Sequence, residues 1–216
     1  MIKLLGICGS PRSGATEYVL DEALKVAKNY AEIETDRILL RKHELPYCIH
    51  CDKCIREESK YCAYHEVNNK EIYDKFYKAD AYLIASPVYL MNVTGQLTTF
   101  FNLLRPVWNI LKEDPAFFWD KVGAGISVGG TRHGGQETTI NTIHGFYHTY
   151  GIHIVGGNHT YNGGTVWSKD RMKEGAKEDL EGMNTVHSLM DRLILSAYQL
   201  QYGREKYLEM KEKIIK

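Results

Sequence analysis

The sequence predicts an α/β fold, a five-stranded parallel sheet wound with helices on both faces. Three observations predict it: apolar runs of strand length alternate with amphipathic segments of helical spacing, five such apolar runs occur, and a glycine- and serine-rich turn follows the first. The 216 residues fit a single domain, and 44% hydrophobic with 25% charged residues is ordinary for a folded globular chain.

Taken in order, Ile2 to Cys8 reads as a buried strand, and Gly14 to Tyr30 as a helix with Val19, Leu20, Ala23, Leu24 and Ala27 on one face. Ile33 to Leu40 is a second strand. After a cysteine-rich stretch, Asn68 to Lys78 reads as a short helix, with Ile72, Phe76 and Tyr77 together. Ala81 to Ala85 is the third strand, Gly95 to Leu104 a helix that ends before Pro106, Val122 to Val128 the fourth strand, Gln136 to Tyr150 a helix and Ile152 to Val155 the fifth strand. A long C-terminal helix closes the chain.

Strands separated by helices pair in parallel through right-handed crossovers, which points to the flavodoxin-like strand order 2-1-3-4-5. Ligands then bind beyond the carboxyl ends of the strands, so the loops after strands one, three and four are expected to hold the site. No repeat, low-complexity tract or linker divides residues 1–216, so one domain is expected, carrying residues 45–68 as an insertion after the second strand. That stretch is too long for an ordinary connection, and long structureless loops are usually functional.

Lysine plus arginine equals aspartate plus glutamate at 27 each, so no field is set up to attract a polyanion and nucleic acid is not an expected partner. The apolar run at Met1 to Ser10 is too short for a signal-peptide core or a membrane span. A cytoplasmic protein is the expectation.

The turn Gly9-Ser10-Pro11-Arg12-Ser13-Gly14-Ala15-Thr16 leads from a strand into a helix. Hydroxyls, a cation and free amides at a helix N-terminus suit a phosphate, because the unpaired N–H groups point at the anion and the helix dipole favours it. Ser10, Arg12, Ser13, Ala15 and Thr16 are the expected contacts. Neither GxGxxG nor GxxxxGK[ST] is present, so a mononucleotide fits better than a dinucleotide or a nucleoside triphosphate. Taken alone, GSPRSG could equally be a serine-rich helix cap.

Four of the five cysteines crowd together as Cys48, Cys51, Cys54 and Cys62, while Cys8 stands alone as a small apolar residue. Two-residue spacers let one loop wrap three corners of a compact cluster, and a fourth thiolate completes a [4Fe-4S] site. The competing readings are a structural zinc, which usually pairs one C-x2-C with a second ligand pair farther along, and uncoordinated thiols.

With those residues in place, the chain resembles the NAD(P)H-dependent FMN reductase branch of the flavodoxin superfamily. The match is carried by Gly9-Ser10-Pro11-Arg12, by Ser86-Pro87-Val88-Tyr89 with Gly95-Gln96-Leu97, and by Gly129-Gly130-Thr131-Arg132-His133-Gly134-Gly135-Gln136-Glu137. The resemblance implies FMN as cofactor, with Pro87, Val88, Tyr89, Leu90, Met91 and Asn92 along the ribityl chain and ring. Gly129, Gly130, Thr131, Arg132, Gly134, Gly135 and Gln136 would approach its other side, with Arg132 and His133 steadying negative charge on the reduced ring.

The C-x2-C-x2-C-x7-C insertion makes the chain similar to the iron–sulfur flavoproteins of anaerobic prokaryotes. That implies a [4Fe-4S] cluster beside FMN, a ferredoxin-like electron donor, a small acceptor such as oxygen, peroxide or a quinone, and a homo-oligomer, dimer or tetramer. The alternatives are a plain FMN or quinone reductase with a zinc site, and a redox-sensing regulator, against which the lack of a basic patch counts. No proton-transfer residue is assigned. His43, His50, His65 and His159 are given no role, and the aromatic stretch from Trp108 to Trp119 is open between covering the flavin, a subunit contact and core packing.

Overall fold

The computed structural model describes residues 1–64, 69–157 and 161–214, with side chains as far as Met210. Its centre is a parallel sheet in which β2 (Ile33–Leu39), β1 (Ile2–Cys8), β3 (Ala81–Pro87), β4 (Val122–Gly129) and β5 (His153–Ile154) follow one another. This is the order 2-1-3-4-5 expected from the alternation of elements. The three inner strands are buried along nearly their whole length, which is why they are apolar without a polar face.

Alternation along each strand feeds two cores. Leu4, Leu83, Ile126 and Val128 point to the face covered by α1 (Ala15–Ala27) and α8 (Leu180–Ile214), where Val19, Leu20, Val186, Leu189 and Leu193 meet them. Leu5, Ile7, Tyr82 and Ile84 point to the opposite face, under α3 (Lys70–Lys78), α4 (Gly95–Leu103) and α6 (Gln136–Tyr150). That second core is aromatic. Phe76 is fully buried and its ring lies 4.8 Å from Tyr82, 5.9 Å from Phe118, 6.1 Å from Phe146 and 6.4 Å from Phe100. Gly123 on β4 makes room for one more ring, because a Cβ there would sit 2.5 Å from Tyr147.

Several boundaries move. The first helix runs over Ala15–Ala27 rather than 14–30, and the second strand gives way at Leu40 to a 3-10 turn over Leu40–Lys42. The start of the helix expected at Asn68 lies outside the described residues. A helix not anticipated, α5 (Val107–Glu113), begins just after Pro106, whose ring presets a first-turn φ. Pro106 thus both stops α4 and starts α5.

The fifth strand is divided. His153–Ile154 pairs only with Val122 and Gly123, and β6 (Gly164–Trp167) takes up the rest of that edge beside Ile126 to Gly129. A second short helix, α7 (Met172–Glu178), separates β6 from α8. No helix among the described residues is long and apolar enough to cross a membrane.

Truncating Phe76 to alanine removes the ring at the centre of the aromatic core. Large buried side chains cut to alanine cost about 3–5 kcal/mol, and urea denaturation of F76A against the parent should show a loss of that size.

Candidate functional site

Parallel pairing brings the carboxyl ends of β1, β3 and β4 to one edge, and the backbone ties their loops together. The Gly9 amide donates to the Ala85 carbonyl at 2.8 Å and the Val88 amide to the Val128 carbonyl at 3.0 Å. Thr94 joins the first two loops: its Oγ1 donates to the Gly9 carbonyl at 2.6 Å and accepts from the Leu97 amide at 3.1 Å, capping α4.

In the first loop Ser10 is buried, and its hydroxyl donates to the Arg12 carbonyl at 2.7 Å, folding the turn. Arg12 and Ser13 are exposed, while Ala15 and Thr16 are buried. Gly14 occupies the N-cap of α1 and no side chain caps that helix, so its first amides remain available to an anion. Glu17 stands in the same first turn. Burial raises its carboxyl, but the Arg41 guanidinium and the Ser13 hydroxyl outweigh burial and leave it below the ordinary carboxylate range. Both guanidinium contacts are 3.1 Å, so the cation offsets a charge that would repel a phosphate.

The second loop is a tight turn. Tyr89 and Asn92 exchange backbone hydrogen bonds of 2.8 and 3.0 Å, with Leu90 at φ +49° and Met91 at φ +62° between them. Such left-handed, non-glycine positions persist only where the surroundings hold them. Here Asn92 does so, accepting through Oδ1 from the Val93 amide at 2.8 Å and from Thr142 Oγ1 of α6 at 2.7 Å. Pro87 and Val88 are half-buried, whereas Tyr89, Leu90 and Met91 are exposed.

The third loop packs directly on the second. Gly135 has φ +109°, and a Cβ there would fall 2.5 Å from the Met91 Cα and 3.0 Å from Val88 Cγ1; both the conformation and the close approach require glycine. Gln136 is buried and its amide donates to the Thr131 carbonyl, whereas Gly129 is buried and Thr131, Arg132 and Gly134 are exposed. The Arg132 guanidinium lies 4.6 Å from the centre of the Trp167 ring and 3.8–3.9 Å from Glu181 and Asp179. Gly130 lies below Asp170.

A fourth loop, between β6 and α7, was not anticipated. Trp167 Nε1 donates to the Gly130 carbonyl at 2.8 Å, the Ser168 amide donates to the Gly129 carbonyl at 2.8 Å, and Met172 packs on Gly14. Lys169, Asp170 and Met172 are all left-handed, with φ between +52° and +55°. The Ser-Lys-Asp run between Trp167 and Arg171 is a turn signature in the sequence. Its meeting with the glycine loop is purely tertiary.

The cysteines form a separate pocket. Cys48, Cys51, Cys54 and Cys62 are free thiols that line one cavity with Ile49, Asp52, Leu103, Arg105 and Pro106. Cys54 is carried by α2 (Lys53–Arg56), entered through Asp52 at φ +56°. The segment is held by polar contacts, one from its own Arg56 and the others from the α4–α5 region. Buried Asn109 donates through Nδ2 to the Cys54 carbonyl at 3.0 Å and the Ser59 carbonyl at 2.7 Å, Arg56 Nη1 donates to the Cys51 carbonyl at 2.9 Å, and Arg105 Nε to Asp52 at 3.0 Å. Burial, and then the neighbouring Cys62, raises the Cys54 thiol above its usual value. Among the described residues no three His, Cys, Asp or Glu side chains gather at the spacing of a single ion, so the thiols surround a pocket rather than a point. His50 is exposed beside Asp52 and His43 half-buried; His65 and His159 lie outside the described residues.

A second groove, outside the cysteine pocket, includes Cys48, Arg105, Trp108, Phe146 and Thr142 in its wall. Thr142 is the residue that holds Asn92, so the groove's wall includes the side chain that fixes the second loop. Of the aromatic stretch, Phe118 belongs to the core, while Trp108 and Trp119 are exposed.

The sequence model of the NADPH-dependent FMN reductase family matches residues 2–164. An iron-sulfur flavoprotein of Methanosarcina thermophila is 36% identical over 206 residues, covering 95% of this chain and all of that one. One from Methanocaldococcus jannaschii is 37% identical over 193 residues, 88% of this chain and 94% of the other. Among solved structures, RosB with bound 8-demethyl-8-formylriboflavin-5'-phosphate superposes with a TM-score of 0.70 at 17% identity, over 99% of this chain and 88% of that one. A flavone reductase gives 0.66 at 21%, over 93% and 64%; at these identities the likeness is one of fold.

Beneath the first loop, burial pushes the Cys8 thiol up to about 11, against an ordinary 9.0, with the Ser10 amide opposing. The folded chain therefore keeps its proton where the unfolded chain has lost it, and stability should fall as pH rises from about 9 towards 11, by at most about 2–3 kcal/mol. Urea denaturation across that window should show a shallower decline in C8A than in the parent, the remainder coming from buried tyrosines such as Tyr82 and Tyr147, whose hydroxyls burial also pushes up.

Proposed function

Because the chain belongs to the NADPH-dependent FMN reductase family, in its iron–sulfur flavoprotein branch, we propose that it passes electrons between a [4Fe-4S] cluster in the cysteine pocket and FMN on the three-loop edge. It is an FMN-dependent oxidoreductase of flavodoxin-like fold. The finer reading is a ferredoxin-like donor, a small acceptor such as oxygen, peroxide or a quinone, a homo-oligomer and a cytoplasmic setting.

The residues present fit both groups. For FMN, the uncapped N-terminus of α1 with Ser10, Ser13 and Thr16 suits the phosphate, and the Val88–Met91 turn pressed on Gly135 suits a planar ring. For the cluster, four thiols share one cavity walled by Ile49, Leu103 and Pro106, and apolar walls limit the access of water to a metal centre.

Bound FMN supplies one- and two-electron chemistry and a bound cluster supplies single electrons. The chain's own work is placement. Arg41 offsets Glu17 beside the phosphate turn, Asn92 and Thr142 fix the second loop, and Asn109 and Arg105 fix the cysteine segment. The observation that carries the reading is the convergence of the four thiols on one pocket, beside a groove whose wall also includes the residue holding Asn92.

Oxygen-free purification followed by cofactor analysis tests it. The expected content is about one FMN, four iron and four sulfide per chain, with the visible spectrum bleached by dithionite; zinc without sulfide would overturn the cluster reading. Cys54→Ser should lose iron and keep flavin. Gly135→Ala should do the opposite, weakening FMN binding at least about tenfold, ~1.4 kcal/mol, by fluorescence titration while iron is retained.

A further inference from the structure

Asp52 and Arg105 are the two fully charged side chains among the described residues lining the cysteine pocket. They reach it from different parts of the chain. Asp52 lies between Cys51 and Cys54 at the entry to α2, and Arg105 comes from the turn joining α4 to α5. The guanidinium engages Asp52 Oδ1 through both Nε, at 3.0 Å, and Nη2. Arg105 also borders the outer groove with Cys48 and Trp108, so one side chain faces the pocket and its approach.

We propose that Arg105 and Asp52 form an opposed charge pair that sets the reduction potential of the metal centre held by Cys48, Cys51, Cys54 and Cys62. The inference rests on the cluster reading above and adds to it residues that donate no ligand. Single-electron reduction by a low-potential donor, dithionite in the experiment, adds one negative charge to the pocket. A permanent cation in the wall stabilises that added charge and a carboxylate opposes it, and net charge is one of the terms that fix such potentials. Arginine suits the role because it stays ionised and its planar fork is oriented by the carboxylate it grips.

The pair therefore acts in two opposite senses. Removing the cation should make the centre harder to reduce, and removing the carboxylate should make it easier. A purely structural clasp predicts something else: both substitutions break the same contact and should act alike.

The test is spectroelectrochemical titration of the anaerobically purified holoprotein, with iron and sulfide counted in every sample. Arg105→Gln should shift the midpoint to more negative potential by about a tenfold change in the reduced-to-oxidised ratio, 59 mV for a one-electron couple, and Asp52→Asn should shift it to more positive potential. Arg105→Lys, which keeps the charge and loses the fork, should stay nearer the parent than Arg105→Gln. Should Arg105→Gln fail to retain iron, the Asp52→Asn midpoint still decides the matter: a positive shift supports the pair, and no shift or a negative one overturns it. A midpoint that coincides with the parent in Arg105→Gln or in Asp52→Asn, or midpoints that move in the same direction in those two variants, overturn the proposal. A parent protein without iron or sulfide defeats the cluster reading instead, so the two failures are told apart.

Discussion

Parallel pairing of β1, β3 and β4 is the constraint on which the rest of the molecule depends. Each of these strands is flanked on both sides, so it must be apolar on both faces, and each can be reached only by a crossover through a helix. The register that sets Cys8 opposite Ala85 and Pro87 opposite Val128 ends all three strands together. The loops that follow therefore meet, and the hydrogen bonds from Gly9 to Ala85 and from Val88 to Val128 continue the ladder into them. The site edge is an extension of the sheet.

The cysteine segment obeys a different rule. It contributes few side chains to either core: Cys54 is its one buried apolar residue among those described. Its order comes from polar contacts to the α4–α5 region, where Asn109 bonds two of its carbonyls and Arg105 grips Asp52. A buried side-chain amide that bonds two backbone carbonyls holds a loop without hydrophobic area. A segment built this way keeps its thiols beside a shared cavity instead of collapsing them into the core.

Much of this was legible in the sequence, and the parts that were not share a cause. The strand order, the helix from Gln136 to Tyr150 and the four-cysteine spacing are local patterns, written in hydrophobic periodicity or in ligand spacing. The divided fifth strand escaped because two residues of ladder leave no periodic trace and β6 begins within the glycine pair Gly163-Gly164. Arg105 and Asn109 escaped because their partners lie more than fifty residues earlier in the chain. Trp167 is the same case: nothing in its neighbourhood announces that it will bond the Gly130 carbonyl and stack on Arg132. Periodicity reports which face a residue occupies, not which side chain it meets there.

The broken strand beside β4 also bears on self-association. A long, flat outer strand presents unpaired amides and carbonyls that can template a strand from another molecule. Here that flank of the sheet ends in stubs of two and four residues. The opposite flank, β2, carries Glu34, Asp36 and Arg37 along its exposed positions. Both margins are thereby poor templates, so the sheet can be fully parallel and strongly apolar at its centre without inviting edge-to-edge growth.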